Sequence, residues 1–153
     1  MKIYLGADHG GYELKEKFKE YINRNYQNLE IEDCGAFVND PTDDYPLIAF
    51  NVAEKVAIEK TSDGLGILLC RSGSGMVVAA NKVKEIRAVE IYNEKIAAHA
   101  KSHNHANVIA FSGDQLSLLE MISLFEIFMK TPQDSSDRHS RRINQIINYE
   151  NQR

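Results

Sequence analysis

The sequence predicts an α/β fold: a Rossmann-like, three-layer α/β/α domain with a five-stranded parallel sheet and a C-terminal helical arm. Short runs rich in Ile, Leu and Val alternate with segments of helical periodicity along the whole chain. Five such βα units in succession imply parallel strands, because parallel neighbours need a crossover between them. The length of 153 residues suits one domain with a real core, and no repeat or linker divides it. Residues 1–153 are therefore read as a single domain.

Each element has a local signature. Ile3–Gly6 is the first strand, and it ends in the turn Gly6-Ala7-Asp8-His9-Gly10-Gly11. Leu14, Phe18, Tyr21 and Ile22 follow at helical spacing with Lys and Glu between them. Leu29–Cys34 is the second strand, closed by Gly35; residues 39–44 are turn-rich. Pro46 fits the first turn of a helix carrying Leu47, Ile48, Val52, Ala53 and Val56. Leu65–Cys70 is the third strand and Ser74–Val83 the third helix. Arg87–Ile91, a helix over Asn93–Lys101, and Asn107–Phe111 supply strand, helix and strand again. Ser112-Gly113-Asp114 leads into a helix that is apolar on nearly every side, from Leu116 and Leu119 to Ile127 and Phe128. Burial of that helix against both the sheet and a partner subunit is expected. Thr131–Ser136 interrupts the pattern before an amphipathic helix with Ile143, Ile146 and Ile147.

Bulk properties narrow the function. A formal charge of −4 argues against general nucleic-acid binding. No apolar run has the length of a membrane span, and the apolar segment at the N-terminus is too short for a signal peptide. The two cysteines, Cys34 and Cys70, are expected to be reduced thiols of a cytoplasmic protein with no nucleic-acid or membrane partner.

In open α/β sheets, ligands bind beyond the carboxyl ends of the strands. Two turns there carry chemistry: Asp8-His9-Gly10-Gly11 and Cys70-Arg71-Ser72-Gly73-Ser74-Gly75. Glycine lets the backbone approach a ligand, and successive N–H groups at a helix start make an anion cradle. Met76 stands where a cysteine-phosphatase loop needs Arg, no Gly-Lys-Ser/Thr forms a P-loop, and no Cys-x-x-Cys exists. His99, His103 and His105 suit ordinary polar roles better than a metal site. What remains is proton chemistry: a thiolate is a base as well as a nucleophile, and the turn amides can hold an enediolate. Cys34 reads as a buried, inert thiol. Arg138 and Arg142 share a helix face, which suits phosphate recognition, with Asp137 placed to cap the helix start.

Taken in order, Gly6-Ala7-Asp8-His9-Gly10-Gly11, Asp44-Tyr45-Pro46, Cys70-x-Ser72-Gly73-x-Gly75, Ala79-Ala80-Asn81-Lys82, Ile86-Arg87-Ala88, His103-Asn104-x-Ala106-Asn107-Val108 and Arg138-His139-x-x-Arg142 resemble the type B ribose-5-phosphate isomerase family, which includes galactose- and allose-6-phosphate isomerases. The resemblance spans nearly the whole chain. It implies a metal-free, cofactor-free aldose–ketose isomerase acting on a sugar phosphate through an enediol. Cys70 would move the proton, and Ser72 with the amides of Gly73, Ser74 and Gly75 would bind the oxyanion. Asp8 and His103 match residues of ring opening, His9, Arg138 and Arg142 match phosphate contacts, and Asn104 matches a substrate-binding amide. The family's sites are shared between two chains, so a homodimer or tetramer is implied, with residues 132–153 packing on the partner. His103 and Asn104 precede strand five and so lie at the sheet edge opposite Cys70, as a shared site requires.

The chain departs from the family at several positions. Arg71 stands in place of a usual Gly, Ser74 of an apolar residue, Glu85 of Gly, His105 of Asp or Asn, and Asp114 of a phosphate-binding Arg. Arg71 is a candidate to replace that missing Arg. Another branch of the family uses a glutamate at or beside Met76; this chain has Cys70 instead. The alternatives to ribose 5-phosphate isomerisation are a six-carbon sugar phosphate substrate and a sugar-phosphate-binding protein without catalysis.

Overall fold

The computed structural model describes residues 1–59 and 64–152. Among them the elements run β1 (Lys2–Ala7), α1 (Tyr12–Asn25), β2 (Glu30–Asp33), α2 (Tyr45–Ile58), β3 (Gly64–Cys70), α3 (Ser74–Ala80), β4 (Ala88–Glu90), α4 (Glu94–Ser102), β5 (Val108–Ser112), α5 (Leu118–Lys130) and α6 (Asp137–Asn151). The five strands form one sheet in the order β2-β1-β3-β5-β4, every pair parallel.

Alternation along the strands divides the core into two layers. Ile3, Leu5, Leu65, Ile67, Leu69, Ile109 and Phe111 face α1, α4 and α5. Tyr4, Leu68, Cys70, Val108 and Ala110 face α2 and α3. Each buried large aliphatic or aromatic side chain contributes on the order of 1.5–3 kcal/mol. Because successive strand residues point to opposite faces, the register of β3 decides that Cys70 projects to the α2–α3 side.

Most of the apolar surface of α5 is covered within the chain. Met121, Ile122, Leu124, Phe125 and Phe128 are buried within the chain, and Leu118, Ile127 and Met129 pack against the same core. Phe125 meets Phe18 of α1 edge-on at 5.3 Å. Leu119 alone among the apolar residues of α5 is openly exposed, at 78 %. The helix starts with a capping box between Ser117 and Glu120.

Several boundaries differ from the sequence reading, β2 (Glu30–Asp33) and β4 (Ala88–Glu90) each being one residue shorter at both ends. α3 stops at Ala80 rather than Val83, because the Asn81 side chain pairs with both the N–H and the C=O of Ala88 in β4 (2.8 and 2.9 Å). In α6 the N-cap is Ser136, and Asp137 is the first helical residue instead of the cap.

Candidate active site

Three loops meet at the carboxyl ends of β1, β3 and β5. β3 lies between the other two, and the helix after it packs on the opposite face from α1 and α5. Such a reversal opens a crevice at the strand ends. The loops are laced together: the Gly113 amide donates to the Cys70 carbonyl (2.8 Å), the Asp114 amide to Arg71 O (3.1 Å), and Ser112 Oγ to Arg71 O (2.6 Å). The Asp8 amide donates to Leu69 O at 3.2 Å. Gly11 lies so close to β3 that a Cβ there would sit 2.7 Å from Leu69 O.

Cys70 ends β3 and is 5 % exposed. Gly73 has φ +88°, a conformation open to glycine, and this turn aims its N–H at Cys70 Sγ, 3.0 Å away. The Gly73 amide thus serves the thiol, whereas the sequence placed it among the oxyanion donors. Ser72 and Ser74 are exposed at the loop tip with hydroxyls 2.9 Å apart. Gly75 lies under the ring of Tyr45, which a Cβ would approach to 2.9 Å. Arg71 is exposed, with Nη1 3.5 Å from Asp114 Oδ1. Two of the residues that depart from the family are therefore ion-paired with each other. An exposed pair of this kind is worth little, so the guanidinium is free to turn to a stronger anion.

In the β1 loop, Asp8 Oδ1 accepts from the amides of Gly10 (2.9 Å) and Gly11 (3.2 Å). Burial pushes the Asp8 carboxyl up, against the pull of the two amides. His9 beside it is held by Asp43, whose Oδ1 is 2.6 Å from the ring Nδ1 and 3.1 Å from the His9 amide nitrogen. That arrangement leaves Nε2 of His9 as the outward nitrogen. Asp43 Oδ2 is buried with no hydrogen-bond partner among the described residues. Sequence reasoning passed over Asp43 as part of a turn-rich stretch; its position just before Asp44-Tyr45-Pro46 was the available signal.

A second cluster lies at the other end of the sheet. His103 is the C-cap of α4 and Asn104 follows it. Both line a cleft of about 670 Å³ together with His99, Arg138, His139 and Arg142. Asp134 seats α6 here: its amide donates to Ser102 O (3.0 Å), its carbonyl lies 3.0 Å from His105 Nε2, and its Oδ1 accepts from the Ser136 amide (2.8 Å). The C-terminal arm thus folds back on its own chain through His139 and Ile143, with Ile146 exposed.

The register fixes the separation of the two clusters. Cys70 pairs with Ser112 and Gly66 with Val108, so the span of β5 stands between them, about 13 Å at 3.3 Å per residue. Asp8, His9, Cys70, Arg71, Ser72, Gly73, Ser74 and Gly75 are together at one end, and His103, Asn104, Arg138 and Arg142 at the other.

Two trios bring possible metal-ligand atoms within 4.8 Å of one another: His103, Asp134 and His139, and Asp8, His9 and Asp43. In the first, the two rings are stacked 7° from parallel, so their in-plane lone pairs run side by side rather than converging. In the second, the ring Nδ1 of His9 is already engaged by Asp43, and Asp8 Oδ1 by two amides. Neither trio presents the convergent donors of a preformed site.

Two departures from the family now have a backbone setting. Glu85 has φ +68° and His105 φ +46°. Glycine is at ease there and Asn or Asp tolerate it, whereas other residues are strained by about 1–2 kcal/mol.

Residues 3–146 match the protein family described as Ribose/Galactose Isomerase. The chain is 38 % identical to ribose-5-phosphate isomerase B of Mycobacterium tuberculosis, covering 98 % of this chain and 90 % of the relative. It superimposes with a TM-score of 0.91 on the crystal structure of ribose-5-phosphate isomerase B from Mycoplasma genitalium with bound ribulose-5-phosphate, at 39 % identity over 99 % of this chain and 97 % of that one. The type B ribose 5-phosphate isomerase of Trypanosoma cruzi gives a TM-score of 0.91 at 30 % identity, with both chains fully covered.

Proposed function

The chain belongs to the ribose/galactose isomerase family, and from that premise we propose that it interconverts ribose 5-phosphate and ribulose 5-phosphate, with Cys70 as the base. The observation that carries the assignment of Cys70 is the N–H of Gly73 directed at its sulfur, 3.0 Å away, at the meeting point of three strand-end loops.

The reaction begins with the furanose. His103 gives a proton to the ring oxygen as the C1–O4 bond breaks, and Asp8 takes the proton of the anomeric hydroxyl. The product is the open-chain aldehyde. The Cys70 thiolate then removes the proton from C2, and the electron pair moves through C1 to O1, forming an enediolate. Ser72 and the amides of Ser74 and Gly75 face the developing charge. The proton on O2 passes to the O1 oxyanion, the ketone forms at C2, and Cys70 returns the proton it took from C2 to C1. General acid–base groups of this kind contribute about 10²–10⁴-fold each.

His9, oriented by Asp43, joins Arg71, Arg138 and Arg142 on the phosphate, and Asn104 binds a sugar hydroxyl. Because the two clusters lie at opposite ends of the sheet, Cys70 of one copy works with His103, Asn104, Arg138 and Arg142 of another. The working unit is a homodimer, or a tetramer built from it. The C-terminal arm presents Ile146 and the arginines of α6 to the second copy. No metal or cofactor takes part in this scheme. We place the enzyme in the cytoplasm, in the interconversion of pentose phosphates; among the described residues no helix is long and apolar enough to cross a membrane.

The test is turnover of ribose 5-phosphate by the parent and by Cys70→Ala in EDTA. Turnover that collapses in the variant supports the reading; turnover that survives moves the base elsewhere. An inactive parent that converts allose or galactose 6-phosphate reassigns the substrate.

A further inference from the structure

We propose that His139 and His99 are positioning residues that fix the plane of the His103 imidazole; this rests on the assignment of ring opening to His103. His103 is the C-cap just past the end of α4, beside an exposed Asn104, where an unsupported imidazole would sample several rotamers. Instead its ring is held between two others. His99, one turn earlier on α4, stacks at 4.3 Å and 29°, and His139 of α6 stacks at 4.3 Å and 7°.

The outer slab is itself anchored. His139 is 4 % exposed, and Arg138 Nε donates to its Nε2 at 3.1 Å. That donation makes Nε2 the acceptor and leaves the ring proton on Nδ1. Asp134 Oδ2 lies farther from the same nitrogen, at 3.5 Å. Arg138 thereby touches both tasks of the cleft: its Nε holds the slab, and the remaining guanidinium nitrogens are left for phosphate. A sandwiched ring can slide little and tilt less, so its nitrogen meets the sugar ring oxygen along one direction. Orientation of this sort is worth one to two orders of magnitude in rate, since misplacement by about 1 Å can cost 10²-fold.

The test separates positioning from structure by using two reactions of the same enzyme. Ribose 5-phosphate turnover needs ring opening. Wash-in of deuterium at C1 of ribulose 5-phosphate in D2O needs only the Cys70 step, because the phosphorylated 5-hydroxyl leaves that ketose open-chain. His139→Ala and His99→Ala are expected to lower ribose 5-phosphate turnover about 10–100-fold while wash-in stays within about two-fold of the parent. His139→Phe, which keeps a flat ring in the stack, should recover most of the loss. In a His103→Ala background, His139→Ala should cost nothing further. Equal loss of both reactions, or a full additional loss on top of His103→Ala, overturns the inference. If His103→Ala alone turns over ribose 5-phosphate like the parent, the assignment of ring opening to His103 has failed, and positioning fails with it. Should His139→Ala not fold, His139→Phe and His99→Ala carry the comparison.

Discussion

Cys34 and Cys70 invite comparison because so much about them is alike. Each follows or ends a strand at the same edge of the sheet, and each packs into the core layer under α2 and α3. They are almost equally buried, at 7 % and 5 % exposed. What differs is the end of the hydrogen bond that the sulfur holds. Cys34 Sγ is a donor, to Glu32 O at 3.5 Å. Burial, reinforced by the nearby Glu32 carboxylate, pushes that thiol up to about 11. Cys70 Sγ is an acceptor, facing the Gly73 N–H. At equal burial the two sulfurs thus hold opposite ends of their hydrogen bonds, and that polarity is what distinguishes the proposed base from Cys34.

The comparison breaks most directly by removing each sulfur. Cys70→Ala is expected to lower turnover by about 10³-fold or more, while Cys34→Ala keeps turnover within a few-fold, as measured by steady-state kinetics. If the two variants lose activity equally, the distinction drawn above is wrong.

Next in size is the frame behind Cys34. Lys15 is wholly buried, with Nζ 2.9 and 3.1 Å from the two Asp33 oxygens and 2.6 Å from Ala36 O. It ties α1 to the start of the segment that carries Asp43 to His9. Lys15→Met leaves Asp33 short of one cation and should cost about 3 kcal/mol by denaturant unfolding. A loss below about 1 kcal/mol would contradict the role given to this network.

The raised Cys34 thiol also has a pH signature. An ordinary cysteine ionises near 9.0, and the folded Cys34 near 11. Between those values the unfolded chain releases its proton while the native chain keeps it. Native stability due to Cys34 is thus full below about pH 9 and falls as pH rises toward 11, by up to about 3 kcal/mol. Unfolding curves of Cys34→Ala should show a shallower alkaline decline than the parent; parallel curves would remove the premise of a raised thiol.

The smallest effect lies far from either cysteine. Glu85→Gly relieves a positive φ but loosens the unfolded chain, so a gain of about 0.5–1 kcal/mol is expected from thermal unfolding. A loss would mean that the Glu85 side chain earns its place, for instance beside Arg87.

The order of elements was legible because each strand or helix declares its own period. Its limits were not, where a side chain from one element completes another: Asn81 reaching Ala88 ends α3 early. The sequence assigned the apolar residues of α5 to the sheet and a partner together, without showing that α1 and α4 of the same chain take up much of that surface. The site shows the same division. Cys70, Asp8 and His103 stood out through local motifs. Asp43 and the stacking of His139 on His103 arise only when segments distant in sequence meet, joining His9 to a residue 34 positions away. Nothing in local spacing reports such pairs.

The central claim is that Cys70 and His103 of different copies complete one site. Co-expressing Cys70→Ala with His103→Ala tests it, since a mixed dimer carries one intact site and one doubly defective site. Random assortment predicts recovery of about a quarter of the parent turnover from two nearly inactive variants, because dimers form symmetrically from equivalent chains. No recovery, with mixed dimers shown to be present by mass spectrometry, would place both residues in a site built within one chain and contradict the account.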